Sequence, residues 1–234
     1  MNLYEPNSGS VLIDGVDTRQ IDPVDLRKSM GIVPQEPFLF MGSIKDNITI
    51  GEHFVTDEEL LIQKTANQFV TEEFNPIVNE YYKKGSFPLD LIPKMGELGF
   101  FGATLPKEFG GSEISSTAYG LIMHELEKGD SGLRSVCSVQ GGLVMYPIYQ
   151  YGTEEQKKKW LPQLSVGKAV GCFGLTESNH GSDPGGMLTR AKRDGDDWVI
   201  NGSKMWITNG SIADVAVVWA KDEEGIVRGF LIEK

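Results

Sequence analysis

Two short polar stretches and one arginine hold most of the side chains in this 234-residue sequence that could bind and orient a substrate. The run Phe173-Gly174-Leu175-Thr176-Glu177-Ser178-Asn179-His180-Gly181-Ser182-Asp183 leaves an apolar strand and continues into hydroxyls, an amide and carboxylates around Gly181. Such a loop suits a planar ligand that needs many hydrogen bonds; an ordinary surface turn is the competing reading. Trp206-Ile207-Thr208 adds an aromatic wall and a hydroxyl, although a tryptophan in a strand is more often core than ligand contact. Arg134 follows the turn at Asp130, and a planar guanidinium can hold a carboxylate through two parallel hydrogen bonds; capping or pairing on the surface is its alternative. His124 and His180 have no serine–acid or metal-ligand partner at a readable spacing. Cys137 and Cys172 form no metal-ligand spacing either, and two reduced, inert thiols suit a cytoplasmic protein.

These residues need elements to position them. Apolar residues Leu61, Ile62, Ala66, Phe69 and Val70 predict one face of a helix over Asp57 to Phe74, ended by Pro76. A second helix is expected over Leu89–Leu98 with Gly99 as its stop, and a third between Ser116 and Lys128. Ser131 would cap a fourth running towards Met145, and Thr153-Glu154-Glu155-Gln156 reads as a capping box heading a short helix closed by Pro162. Beyond Val170 the apolar period changes from 3.6 to 2. Strands are expected at Val170–Thr176, Leu188–Arg193, Trp198–Ile200, Met205–Thr208, Val215–Ala220 and Val227–Ile232, with Asp194-Gly195 and Asn201-Gly202 as hairpin turns. Helices followed by an antiparallel sheet, without alternation, describe an α+β chain and argue against a dinucleotide-binding βαβ unit.

Composition narrows the partners. With 22 basic and 33 acidic residues the formal charge is −11, which disfavours nonspecific attraction to nucleic acid or an anionic membrane. There is no apolar run of membrane-spanning length, and the first residues lack a basic start followed by an apolar core.

The first fifty residues read differently from the rest. A strand Ser10–Ile13 ended by Asp14-Gly15, a brief helix at Asp25-Leu26-Arg27-Lys28, a strand Gly31–Val33 and the run Pro34-Gln35-Glu36-Pro37 precede Leu39-Phe40 and Gly42-Ser43-Ile44-Lys45-Asp46-Asn47-Ile48. This stretch resembles part of the ATP-binding cassette domain of an exporter, in which the glutamine matching Gln35 reaches magnesium and the attacking water. No G-x-x-x-x-G-K-[ST] loop accompanies it, so ATP hydrolysis is not expected.

Residues from about 57 onward resemble the acyl-CoA dehydrogenases, nearest the glutaryl-CoA type. The resemblance runs through Met95-Gly96-Glu97-Leu98-Gly99, Glu125-Leu126-Glu127, Asp130-Ser131-Gly132-Leu133-Arg134-Ser135, Tyr151-Gly152-Thr153-Glu154-Glu155-Gln156, Cys172–Glu177, Gly181-Ser182-Asp183-Pro184 and Trp206-Ile207-Thr208-Asn209. It implies three segments: 1–55, an ATPase-like piece; 56–168, a helical N-terminal domain; and 169–234, an antiparallel middle β-domain in incomplete form. It also implies FAD as cofactor, with Phe173, Leu175, Thr176, Gly181 and Ser182 lining the flavin and Trp206, Ile207 and Thr208 covering its other side. Arg134 and Ser135 would meet the distal carboxylate of a dicarboxyl thioester such as glutaryl-CoA, with Glu127 nearby, and Ser182 would touch the CoA portion. The implied partners are an acyl-CoA substrate, an electron-transfer flavoprotein and further copies of the chain. The family's proton-abstracting glutamate belongs to a C-terminal helical bundle and matches nothing in this sequence. The chain is therefore expected to be an inactive part of a flavoprotein oxidoreductase, with weak FAD retention. A non-catalytic transporter module, or a non-catalytic partner of an intact dehydrogenase, is the alternative.

Overall fold

A computed structural model describes residues 6–28, 30, 41, 47 and 55–234. The chain divides into two compact units, 1–54 and 55–234. In the first, Leu12–Ile13 (β1) and Val16–Asp17 (β2) form a small antiparallel hairpin. Its turn is Asp14-Gly15, with φ of 50° and 78°, a left-handed pair that Asp and Gly adopt at least cost. A helix, Pro23–Lys28 (α1), follows; it begins two residues before the expected Asp25, where Asp22 Oδ1 accepts the Val24 N–H at 2.7 Å. The expected strand Gly31–Val33, the Gln35 loop, Leu39-Phe40 and, apart from Asn47, the Gly42–Ile48 run lie outside the described residues.

The second unit starts with Asp57–Phe69 (α2) behind a reciprocal cap between Thr56 and Glu59. Glu59 also accepts the hydroxyl of Ser115, the N-cap of Ser116–Gly129 (α5), so one carboxylate ties the starts of two helices. Pro76 does not end α2. The helix passes through a π turn, Val70–Phe74, into Asn75–Lys84 (α3), and stops at Gly85 with φ 61°. The π turn already shifts the ladder, with the Asn75 N–H donating to Val70 O, so a ring without an N–H is accommodated one residue later. Leu61, expected on the buried face, is 64% exposed.

The same device recurs. Ser131–Ser138 (α6) runs through the π turn Val139–Met145 into Tyr146–Tyr151 (α7), with Pro147 just past the turn. Asp130, rather than Ser131, is the N-cap of α6: its Oδ1 accepts the N–H groups of Gly132 at 2.7 Å and Leu133 at 3.3 Å, and a carboxylate reaches two such donors better than a hydroxyl. Leu91–Glu97 (α4) ends before Gly99, whose φ is 74°. The Thr153–Gln156 capping box heads Glu154–Ser165 (α8), which contains Pro162 instead of stopping there. Phe69, Phe74, Phe100, Phe101, Leu126, Leu133, Met145, Leu161 and Leu164 form the buried core between these helices.

Gly171–Gly174 (β3), Arg190–Asp194 (β4), Asp197–Asn201 (β5), Val215–Lys221 (β6) and Val227–Glu233 (β7) make one sheet. It is mixed, which corrects the antiparallel expectation: β6 pairs antiparallel with β7, but parallel with β3 and, at Lys221, with β4. The long connection after β3 brings the chain back in the same direction, whereas the tight Gly195-Asp196 turn reverses it between β4 and β5. Two further expectations fail here. Met205–Thr208 is not a strand, because Trp206 and Asn209 take φ of 59° and 66°. Asn201-Gly202 is not a hairpin turn; it ends β5, and Gly202 (φ 156°) is pressed so closely on Thr189 that a Cβ would lie 2.4 Å from its Oγ1.

Helices and sheet are joined by one buried amide. Gln140, in the second π turn and 1% exposed, donates through Nε2 to Leu164 O (3.0 Å) and Ala169 O (2.8 Å) and accepts the Gly171 N–H at 2.8 Å. Leucine at this position keeps the volume and strands all three backbone groups, a loss of about 3 kcal/mol for groups left unpaired. Gln140→Leu should lower the urea midpoint accordingly with an unchanged m-value; an unchanged midpoint would remove the amide from this role.

Candidate cofactor and substrate site

The carboxylate of Glu177 organises the polar end of the sheet. Its Oε1 accepts the Thr189 N–H at 2.9 Å, the Thr189 hydroxyl at 2.5 Å and Lys204 Nζ at 3.0 Å, and its Oε2 accepts the Leu188 N–H at 2.7 Å. Both partners of the ion pair are buried, the side chains of Lys204 and Glu177 being 10% and 7% exposed. Burial by itself works against the charge of Glu177, yet the hydrogen bonds from Thr189, Leu188 and Lys204 outweigh it and hold the carboxyl at about 2. Both oxygens are thus committed to the fold.

This knot brings together the segments singled out in the sequence. Lys204 Nζ also donates to Leu175 O at 3.0 Å, and the Met205 N–H donates to Thr176 O at 2.9 Å. Further on, Asn209 Nδ2 donates to Gly171 O at 3.1 Å. Trp206, Ile207 and Thr208 are therefore strung along β3 and its extension, beside Phe173, Leu175 and Thr176. Phe173 is half-buried, edge-on to Trp219 with ring centres 6.0 Å apart. Leu175 and Thr176 are half-buried and Thr208 is exposed. Trp206 is 86% exposed, so this tryptophan is not core. Gly181 and Ser182 sit on the exposed 178–186 loop, where a Cβ on Gly181 would meet nothing within 4 Å. Glu177 and His180 bridge across the base of that loop.

The residues expected at the carboxylate end form a second cluster. Arg134 Nε donates to Glu127 Oε2 at 2.7 Å and Nη1 donates to Ser138 Oγ at 3.1 Å. Ser131 completes the support by donating to Glu127 Oε1 at 2.7 Å. This arrangement fixes the guanidinium plane and leaves Nη2 without a partner among the described residues. Glu127, already below the ordinary carboxylate range because of the hydrogen bonds from Arg134 and Ser131, orients the arginine. Ser135 is half-buried beside it, and its carbonyl accepts the Ser138 hydroxyl at 3.2 Å. The two clusters are mechanically linked: Arg134 lies six residues before Gln140 on one continuous helix, roughly 9 Å along its axis, and Gln140 grips the start of β3.

Three contributors were not read from the sequence as site residues. Ser138 stands one helical turn beyond Arg134, a spacing that could have revealed it. Lys204 and Thr189 could not have been found this way, since their contact with Glu177 spans 27 and 12 residues. An apolar groove of about 480 Å³ lies elsewhere, between α7 and β6–β7, lined by Pro147, Ile148, Tyr151, Trp219 and Phe230 among others; none of the expected site residues lines it.

A helical unit carrying a braced guanidinium is joined to a mixed sheet, one strand end of which presents an exposed aromatic and hydroxyls. Residues 56–168 match the acyl-CoA dehydrogenase N-terminal domain, and residues 172–234 match the acyl-CoA dehydrogenase middle domain. The chain belongs to the acyl-CoA dehydrogenase family. It is similar to a glutaryl-CoA dehydrogenase from Mycobacterium smegmatis solved with FADH2, at 47% identity and a TM-score of 0.76 over 80% of this chain and 48% of that one. A probable acyl-CoA dehydrogenase of Bacillus subtilis (strain 168) is 40% identical over 76% of this chain and 48% of its own length. The mitochondrial short-chain specific acyl-CoA dehydrogenase of Homo sapiens is 37% identical over 72% of this chain and 40% of its own. The chain thus spans about half the length, or less, of the relatives it matches. The short-chain relatives of Homo sapiens and Bos taurus are mitochondrial, which overturns the cytoplasmic expectation; two buried thiols are no guide among reducing compartments.

Two carboxylates predict an acid-sensitive fold. Glu177 and Glu125 are both held at about 2, below the ordinary 4.5; for Glu125 burial opposes the shift, and hydrogen bonds from Lys128, Asn67 and Gln63 overcome it. A carboxyl lowered by folding stabilises the protein above its unfolded value, and that contribution is lost as pH falls from 4.5 towards 2. The urea midpoint should fall steeply below pH 4.5, and Glu177→Gln should flatten that fall while lowering the midpoint at pH 7. A variant retaining the full acid slope would dissociate Glu177 from it.

Proposed function

We propose that residues 55–234 supply the flavin platform and substrate carboxylate clamp of an FAD-dependent acyl-CoA dehydrogenase of the glutaryl-CoA type. The observation that carries this reading is the braced Arg134, whose orientation by Glu127 and Ser138 leaves one edge of the guanidinium for an incoming carboxylate. A guanidinium so fixed loses little freedom on binding and presents parallel donors to a dicarboxyl thioester. Ser135 flanks the same position.

The strand end fits a flavin on its own evidence: Trp206 offers an uncovered aromatic face, and Thr176 and Thr208 carry hydroxyls beside it. FAD, when bound, would accept the hydride that leaves the substrate's β-carbon. Phe173, Leu175, Thr176, Gly181 and Ser182 would line one side of the ring, Trp206, Ile207 and Thr208 the other, and Ser182 would also touch the CoA portion. Glu177 is not the base for the α-proton, because its oxygens accept four hydrogen bonds within the protein. The resemblance assigns that base to a C-terminal bundle outside this sequence. Loss of the distal carboxylate as carbon dioxide, an electron-transfer flavoprotein as acceptor and assembly with further copies complete the proposal. Residues 1–55 are read separately, as a non-catalytic segment, on the resemblance of their sequence alone to an ATP-binding cassette domain.

The decisive test joins residues 55–234 to the remaining part of the Mycobacterium smegmatis glutaryl-CoA dehydrogenase and compares two substrates. Turnover of glutaryl-CoA should exceed that of butyryl-CoA. Arg134→Ala should lower kcat/KM for glutaryl-CoA by about 10- to 100-fold, the worth of a charge-assisted hydrogen bond, and leave butyryl-CoA nearly unchanged. Equal losses on both would make Arg134 structural and remove the dicarboxyl assignment.

A further inference from the structure

Trp206 combines two unfavourable features. Its φ of 59° lies in the left-handed region, and its indole is 86% exposed. A bulky side chain keeps such a backbone only where its surroundings over-determine it. Here the chain is fixed on both sides. Before Trp206, Lys204 Nζ is bound to Leu175 O and Glu177 Oε1, each at 3.0 Å, and the Met205 N–H to Thr176 O at 2.9 Å. After it, the Gly210 N–H donates to Ile207 O at 3.0 Å and Asn209 is anchored to Gly171 O.

The upstream anchor is the unusual one. An ammonium buried in a loop is tolerated only with a paired anion and satisfied donors, and Glu177 provides the anion while itself gripping Leu188 and Thr189. Lys204 is thereby held against β3, and the next two residues have no slack in which to relax. The lysine stem also fills the space beside Gly174, where a Cβ would come within 3.4 Å of Lys204 Cγ.

We propose that the buried Glu177–Lys204 ion pair is the positioning device of the site, holding Trp206 in its projecting, left-handed conformation before any ligand arrives. Neither residue touches the ligand in this scheme; both act through the backbone of residues 204–206. The identity of the ligand, a flavin ring, rests on the function proposed above, but the clamp itself does not.

The test uses the full 234-residue chain labelled with 5-fluorotryptophan, whose four tryptophans give separate fluorine resonances; Trp206→Phe assigns one of them. The Trp206 resonance should be single and sharp in the wild-type chain without ligand. In Lys204→Met and in Glu177→Gln it should broaden or split and move towards its unfolded position, while the Trp160 resonance stays in place. Lys204→Arg, which keeps the charge, should restore most of the wild-type line. An unchanged Trp206 resonance in both Lys204→Met and Glu177→Gln would overturn the proposal. Should those variants fail to fold, amide exchange in the wild-type chain decides: the Met205 N–H should exchange about 100-fold more slowly than that of the exposed Ser203, and equal rates would overturn it. FAD titration separates the two readings. If the wild-type chain binds FAD, Lys204→Met should weaken binding about tenfold through the displaced ring wall, and undiminished affinity counts against the clamp. If the wild-type chain binds none, the cofactor reading suffers, and the fluorine spectra still judge the clamp.

Discussion

A carboxylate withdrawn from water must be satisfied by the fold that buries it, and Glu177 imposes that demand on the whole sheet end. Its two oxygens collect donors from Leu188, Thr189 and Lys204, segments that share no secondary-structure element. An anion left unpaired in this position would cost far more than any one of these contacts returns. The approach to β4 and the start of residues 204–206 are tied together at that carboxylate. The same commitment keeps Glu177 from proton transfer, because a base needs a lone pair directed at the substrate.

A second constraint sets the distance between the parts of the site. The helix carrying Arg134 does not end after the arginine; it continues through a π turn whose Gln140 side chain takes the first strand amide and two carbonyls that would otherwise be orphaned. Each π turn is followed by a proline, Pro76 in one case and Pro147 in the other. The widened turn disposes of the missing N–H without breaking the rod. Arg134 and the start of β3 are thus tied to one continuous helical element.

The chain spans about half the length, or less, of the relatives it matches. The residues proposed for cofactor and carboxylate contact lie within residues 127–208. The apolar groove between α7 and β7, with the Trp219 Nε1 buried and without a partner among the described residues beside it, belongs to neither cluster.

Much of this was legible in the amino-acid order, and the limit is physical. Helix caps are local, so the Thr153–Gln156 box and the Gly85 and Gly99 stops depend on residues within one turn of each other; the first and last of these were read directly. The shift of period beyond Val170 announced the sheet for the same reason, since side-chain alternation is a property of each strand alone. Pro76 and Pro162 misled, because whether a proline ends a helix depends on the hydrogen-bond register around it, and neither ends its helix here. Strand direction also escaped: parallel pairing of β3 with β6 joins residues more than forty positions apart and leaves no local mark. Trp206 is the clearest division. Its neighbourhood marked it as a candidate ligand wall, but its left-handed, outward conformation sits in a segment fixed by contacts such as that of Glu177 with Lys204, 27 residues apart.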